Sequence, residues 1–213
     1  MKLPRDFYRQ DTVTIARALL GCVLWRRIGR TLLAARLVET EAYLGANDTA
    51  SHARRGLRSA RNESMYLEGG HAYVYFTYGM HWCMNVVTGE ADVAEAVLLR
   101  GAEPLHGIEA MRKRRPKAKR DRDLMNGPGK LCAAMSIDEN LDGARLDGDL
   151  LWLEEGGVPE EEIAVSARVG VENSGEAAWW PLRFYVRGSE FVSRSNRRLN
   201  ADARRSHGRS RRF

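Results

Sequence analysis

The run TLLAARLVETEAYL, residues 31 to 44, constrains the fold more than any other stretch of this chain. It reads as a strand that pairs back on CVLWRR across a turn at Ile28–Arg30. With period-two alternation, Glu39, Glu41 and Tyr43 point one way, while Val38, Thr40, Ala42 and Leu44 point the other. A Gly-Ala-Asn-Asp turn follows on the way to His52. A solvent-facing edge would explain two glutamates, but it leaves Tyr43 on the same face unexplained. Alternation does not separate the two glutamates. Glu41 lies nearer Tyr43 and the turn, which makes it the better placed of the two.

The remaining elements follow the same local logic. DTVTIARALL reads as a short amphipathic helix capped by Asp11 or Thr12 and stopped by Gly21. AYVYFTY and HWCMNVV form two strands around Tyr78-Gly79-Met80, and EAVLLR another. PLHGIEAMRKRR reads as a helix that runs out into charge, and PGKLCAAM as a helix with proline in its first turn. LLWLEEG, IAVSARVGV and PLRFYVRG are late strands, and residues 45 to 71 are loop-rich. Many strands, few helices and no strict βαβ alternation argue an α+β fold.

At 213 residues the chain suits one domain over 1–193, with an arginine-rich, apolar-poor end at 194–213 expected to be disordered. The net charge of +6 suits a polyanionic partner. RKRRPKAKRDR, residues 112 to 122, reads as an exposed loop, and a solvated run and a DNA-backbone contact are both open for it. Cys22, Cys83 and Cys132 form no CxxC pair, which argues against a disulfide framework or structural zinc and for a reducing cytosol. With no signal core and no apolar run near the roughly 20 residues of a bilayer span, the reading is a soluble, cytoplasmic protein, monomeric by default.

The hairpin carries the second set of candidates. Tyr73 and Tyr75 share a face, and Gly79 can turn the chain so that Tyr78 stands at the tip. There an aromatic ring is poorly placed for a core and well placed to enter a base stack. Asn85 is an amide in an apolar strand, so it either staples neighbouring backbone or lines a pocket. Arg100 ends the apolar VLLR strand, where a guanidinium calls for a carboxylate. His81 and Cys83 share parity, but two ligands without a second pair do not make a metal site. GPGK at 127–130 lacks P-loop spacing.

ETEAYLGANDTASH, YVYFTYGMHWCMNVV, AVLLRGAEPL, NGPGKLCAAMSI and PLRFYVRGSEFVS, in this order, closely resemble the alkyladenine (3-methyladenine) DNA glycosylase family of the bacterial and vertebrate type, distinct from the helix-hairpin-helix glycosylases. The resemblance runs from about Phe7 to Ser193. It implies a single-domain α+β fold, mainly a curved antiparallel sheet with surrounding helices and a protruding hairpin that enters the minor groove. It implies excision of alkylated and deaminated purines from double-stranded DNA by a monofunctional enzyme with no metal or other cofactor. Position by position, Glu41 matches the general base and Arg100 the arginine that helps hold its water. Tyr43, His52 and Tyr75 match the aromatic base pocket, Tyr78 the residue that fills the gap in the duplex, and Asn85 the amide that crowds out the guanine 2-amino group. Where the family commonly has a T-P-R-N-like run, this chain has Ser59-Ala60-Arg61-Asn62.

The chemistry is consistent with those residue types. A base must be flipped to be reached, at a few kcal/mol, and stacking on aromatic faces returns about 1–3 kcal/mol per base. Glycosidic cleavage passes through an oxocarbenium-like sugar, which a nearby carboxylate stabilises while it activates water. Two alternatives remain at this level: a basic module that stacks nucleic-acid bases without catalysis, and an enzyme acting on a small purine nucleoside.

Overall fold

The computed structural model describes residues 1–193, and the arginine-rich end at 194–213 lies outside the described residues. Strands β1 (Val23–Ile28) and β2 (Thr31–Tyr43) form the expected hairpin, with Ile28 opposite Thr31. Along one side of β2 runs β5 (Glu95–His106). On the other side β1 pairs only as far as Arg36, and β8 (Arg183–Val186) takes over at Glu39–Glu41. Both edges of β2 are therefore occupied and both of its faces covered. Leu37 to Ala42 are all buried, Glu39 and Glu41 completely. The solvent-facing edge is excluded: these are interior carboxylates, which need partners.

The sheet is antiparallel throughout and curls as it runs β3 (Ala72–Thr77), β4 (His81–Thr88), β5, β2, β1, β6 (Leu151–Glu154), with β7 (Ile163–Ser166) paired to β8. Helix α1 (Thr12–Ala18) is capped by Asp11, whose carboxylate accepts from the N–H groups of Val13 and Thr14 at 3.1 and 3.0 Å. Helices α2 (Ile108–Arg114), α3 (Arg122–Met125) and α4 (Pro128–Met135) follow β5. The buried Leu131, Cys132, Ala134 and Met135 of α4 join the main core together with Met84, Val86, Val97 and Leu99 of β4 and β5. A smaller cluster around Met65, Tyr66, Tyr73 and Ala96 carries Tyr43 and Tyr75 on its flank. Among the described residues no helix is long and apolar enough to cross a membrane.

Three expectations need correction. Arg100 does not end a strand, because β5 continues to His106. The ladder slips at Leu37–Glu39–Thr40, where Gly101 faces Glu39, and a Cβ on Gly101 would stand 3.0 Å from the Glu39 carboxylate. A glycine there lets the strand pass over a buried side chain without stopping. The helix expected from PLHGIEAMRKRR begins only at Ile108, after Gly107 turns the chain at φ +75°. The strand expected over IAVSARVGV ends at Ser166, which frees the residues after it to reach the site.

Candidate active site

A cavity of about 790 Å³ opens between the β3–β4 hairpin, the loop after β2, the start of α4 and the loop after β7. Its volume falls within the ~300–1,000 Å³ range of small-molecule sites. Tyr43, His52, Tyr75, Asn85, Tyr78 and Arg100 all line it. Glu41 stands behind that wall, fully buried and bonded to three groups that do line it. Its Oε1 accepts from the Val169 N–H at 2.7 Å, and its Oε2 from the Tyr43 hydroxyl at 3.0 Å and Arg100 Nη1 at 3.3 Å.

The structure separates the two glutamates by donor count. Glu39 accepts from Arg100 Nε at 3.1 Å, Arg183 Nε at 2.7 Å, and the Ser193 N–H and hydroxyl at 2.6 and 2.7 Å. A carboxylate offers roughly four acceptor positions, and Glu39 takes four bonds, three on Oε1 and one on Oε2. Glu41 accepts three bonds and keeps one position open. Burial acts to lower the Arg100 guanidinium, but Glu41 and then Glu39 outweigh it and hold it above its ordinary value, fully charged. Burial, and then the Glu41 charge, raise the Tyr43 hydroxyl well above the usual tyrosine value, so it remains a donor.

The aromatic residues meet as a cluster. Tyr73 and Tyr75 lie 5.3 Å apart between ring centroids, and His52 meets Tyr75 edge-on at 4.5 Å. Tyr73 is buried, as expected of a packing residue, yet it also lines the cavity and bonds His52 Nδ1 through its hydroxyl at 2.7 Å. Asn85 takes both of its open roles: Nδ2 donates to the Tyr73 carbonyl at 3.1 Å, and the side chain lines the cavity. Tyr78 occupies the hairpin tip at φ +51°, followed by Gly79 at φ +66°, with the Met80 N–H closing onto the Thr77 carbonyl at 3.2 Å. The Tyr78 side chain is 80% exposed. In Ser59-Ala60-Arg61-Asn62, the buried Asn62 donates to the His52 and Leu57 carbonyls and accepts from the Ser59 N–H, bracing the loop that carries His52.

Burial, then the charges of Arg61 and Arg54, push the His52 imidazole down from 6.5 to about 4. The ring is neutral at pH 7. Because the folded value lies below the unfolded one, the stabilisation is complete above about 6.5 and is lost as pH falls through 4. The displacement bounds the contribution at ~3 kcal/mol. The thermal midpoint is expected to drop between these limits in the wild type and to drop less in His52→Gln. Parallel curves from pH 7 to pH 4 would remove His52 as the source.

Sequence reasoning passed over Asp48, Arg168, Val169, Arg183 and Ser193. Arg168 and Asp48 are fully buried and pair bidentately, Nη2 to Oδ1 at 2.8 Å. The Arg168 guanidinium also donates to the Ala42 and Ala177 carbonyls and lies 4.6 Å from the centroid of the Tyr43 ring. The basic run at 112–122 is partly neutralised within the protein, Arg112 by Asp121 at 2.6 Å, Arg120 by Asp123 and Arg122 by Glu190. Arg115 of that run lines the cavity.

Tyr43, His52, Tyr75, Asn85 and Arg100 thus meet around one cavity on a curled antiparallel sheet, with the Glu41 carboxylate buried behind it. The chain belongs to the methylpurine-DNA glycosylase family, whose model matches residues 6–190. It is 47% identical over 204 residues to the DNA-3-methyladenine glycosylase of Homo sapiens, covering 90% of this chain and 68% of the human one. It is 44% identical over 205 residues to the Mus musculus protein of the same name, covering 90% and 61%. A Methanocella arvoryzae protein assigned as a 3-methyladenine DNA glycosylase is 46% identical over 192 residues, covering 90% and 96%. The protein is thus a DNA-repair enzyme, a hydrolase acting on N-glycosyl bonds.

Proposed function

We propose that this enzyme flips alkylated or deaminated purines, such as 3-methyladenine, 7-methylguanine and hypoxanthine, out of duplex DNA. It then hydrolyses the glycosidic bond with a water activated by Glu41. The observation that carries the reading is the company of the two glutamates: Glu41 accepts three bonds, all from groups that line the cavity, and keeps one position open on Oε1, while Glu39 accepts four bonds and, of its donors, Arg100 alone lines the cavity. That position suits a water, whose proton passes to the carboxylate as its oxygen bonds to C1′ and the base departs. Arg100, shared between the glutamates, steadies the carboxylate and the water. Tyr43, His52 and Tyr75 sandwich the flipped base, and Asn85 crowds a 2-amino group without excluding it, which selects against unmodified guanine. Water is the nucleophile in this reading, with no lyase step, and Lys130 lines the cavity and donates to Asn126 Oδ1 at 2.7 Å.

The test is single-turnover release of hypoxanthine from a duplex containing one inosine. Release supports the reading. Tight binding with no release from that duplex or from a 3-methyladenine substrate would replace it with a non-catalytic binder. Tyr78 fills the gap left in the duplex. Its exposure means that Tyr78→Ala should change stability by less than about 0.5 kcal/mol. Loss of one stacked ring is expected to weaken lesion-duplex binding by about 1–3 kcal/mol, roughly five- to 150-fold. Unchanged affinity in a titration of the same duplex would take Tyr78 out of the stack.

A further inference from the structure

We infer that Arg183 is a positioning residue for the glycosylase reaction: by holding Glu39, it leaves Arg100 free to be shared with Glu41. The inference rests on the reading of Glu41 as the base. Arg183, Glu39, Arg100 and Glu41 form a buried chain of alternating charge, with successive contacts of 2.7, 3.1 and 3.3 Å. Two guanidinium groups balance two carboxylates, so the cluster is neutral as a whole.

Arg183 sits directly across the β2–β8 ladder from Glu41, yet its Nε is turned to Glu39. Its remaining contacts are the Ser166 hydroxyl at 3.1 Å, the Ser193 carbonyl at 3.4 Å and the Tyr185 ring at 4.6 Å. Arg183 is almost fully buried and is not among the residues lining the cavity. Its link to the charged chain is Glu39, whose Oε1 it shares with Arg100.

Without Arg183, Glu39 keeps its buried charge and has Arg100 as its one remaining cation. A buried carboxylate left half-compensated is strongly destabilising. Arg100 already lies closer to Glu39 than to Glu41, so it relaxes towards Glu39 and leaves Glu41 with its two uncharged donors. The defect is one of charge balance. Removing the Glu39 charge at the same time should therefore repair it.

The experiment compares wild type, Arg183→Met, the double variant Glu39→Gln/Arg183→Met and Glu41→Gln, each as the full chain, in single-turnover hypoxanthine release. Affinity for the inosine duplex is measured alongside. Arg183→Met is expected to slow release about tenfold or more, with affinity within roughly threefold of wild type, and the double variant to recover at least about tenfold of that loss. A double variant no faster than Arg183→Met would overturn the inference, because a packing role gives additive losses. Should Arg183→Met fail to fold, the double variant is judged against wild type. A rate within about tenfold supports the inference, and a loss as deep as that of Glu41→Gln overturns it. Full activity in Glu41→Gln would instead remove the Glu41 reading itself, so the two failures are distinguishable.

Discussion

Glu41→Gln is expected to slow hypoxanthine release from an inosine-containing duplex by at least a hundredfold, with lesion-duplex affinity within a few-fold of wild type. General-base action contributes about 10²–10⁴-fold, and an amide cannot take the proton. The substitution is nearly isosteric, but the site is built for an acceptor. The Val169 N–H, the Tyr43 hydroxyl and Arg100 Nη1 all donate to Glu41. A glutamine amide oxygen satisfies some of these donors, while its NH₂ must face at least one of them. A modest loss of stability should therefore accompany the loss of rate. Arg100 keeps Glu39 as a charged partner, and the aromatic walls are untouched, so binding persists. Retained turnover in a single-turnover assay would exclude Glu41 from the mechanism, and another carboxylate or water-holding group would have to be sought.

What the amino-acid pattern made legible is what local rules control. The β1–β2 and β3–β4 hairpins, the placing of Tyr78 at a tip by Gly79, the shared face of Tyr73 and Tyr75, and the proline-started α4 each depend on residues within a few positions of one another. What it left open depends on contacts distant in sequence. Glu39 and Glu41 are equivalent by alternation and differ only because Arg183 and Ser193 arrive from about 150 residues away to fill one of them. Val169 reaches Glu41 across 128 positions, and it does so because β7 stops at Ser166 rather than running on as its composition suggests. Arg168 sits in a stretch that reads as strand and carries no local sign of burial. The assignment of Glu41 came from the family resemblance, because alternation along the strand does not separate it from Glu39.

Asp48→Ala should produce the largest loss of stability of any single change considered for this site, about 3–5 kcal/mol, the usual effect of removing one partner from a buried ion pair. The Asp48 and Arg168 side chains have no solvent exposure, so the guanidinium left behind cannot be hydrated and keeps only the Ala42 and Ala177 carbonyls. Asp48 also accepts from the N–H groups of Leu44 and Ala50, which tie down the loop between Tyr43 and His52. Those bonds disappear as well. Against a typical domain stability of about 5–15 kcal/mol, this change approaches the threshold of folding. Arg36–Glu103, at 2.9 Å between half-exposed side chains, provides the contrast, and Arg36→Ala should cost about 0–1 kcal/mol. Urea unfolding of both variants checks the difference. For Asp48→Ala the midpoint should fall steeply at constant slope, and a shift worth less than about 1 kcal/mol would mean that water reaches Arg168. Asp48→Asn, whose single amide oxygen can keep only one of the two backbone bonds, should fall between the two. Because Arg168 packs on the Tyr43 ring and precedes the residue whose N–H meets Glu41, the same clamp that stabilises the fold also holds one wall of the cavity.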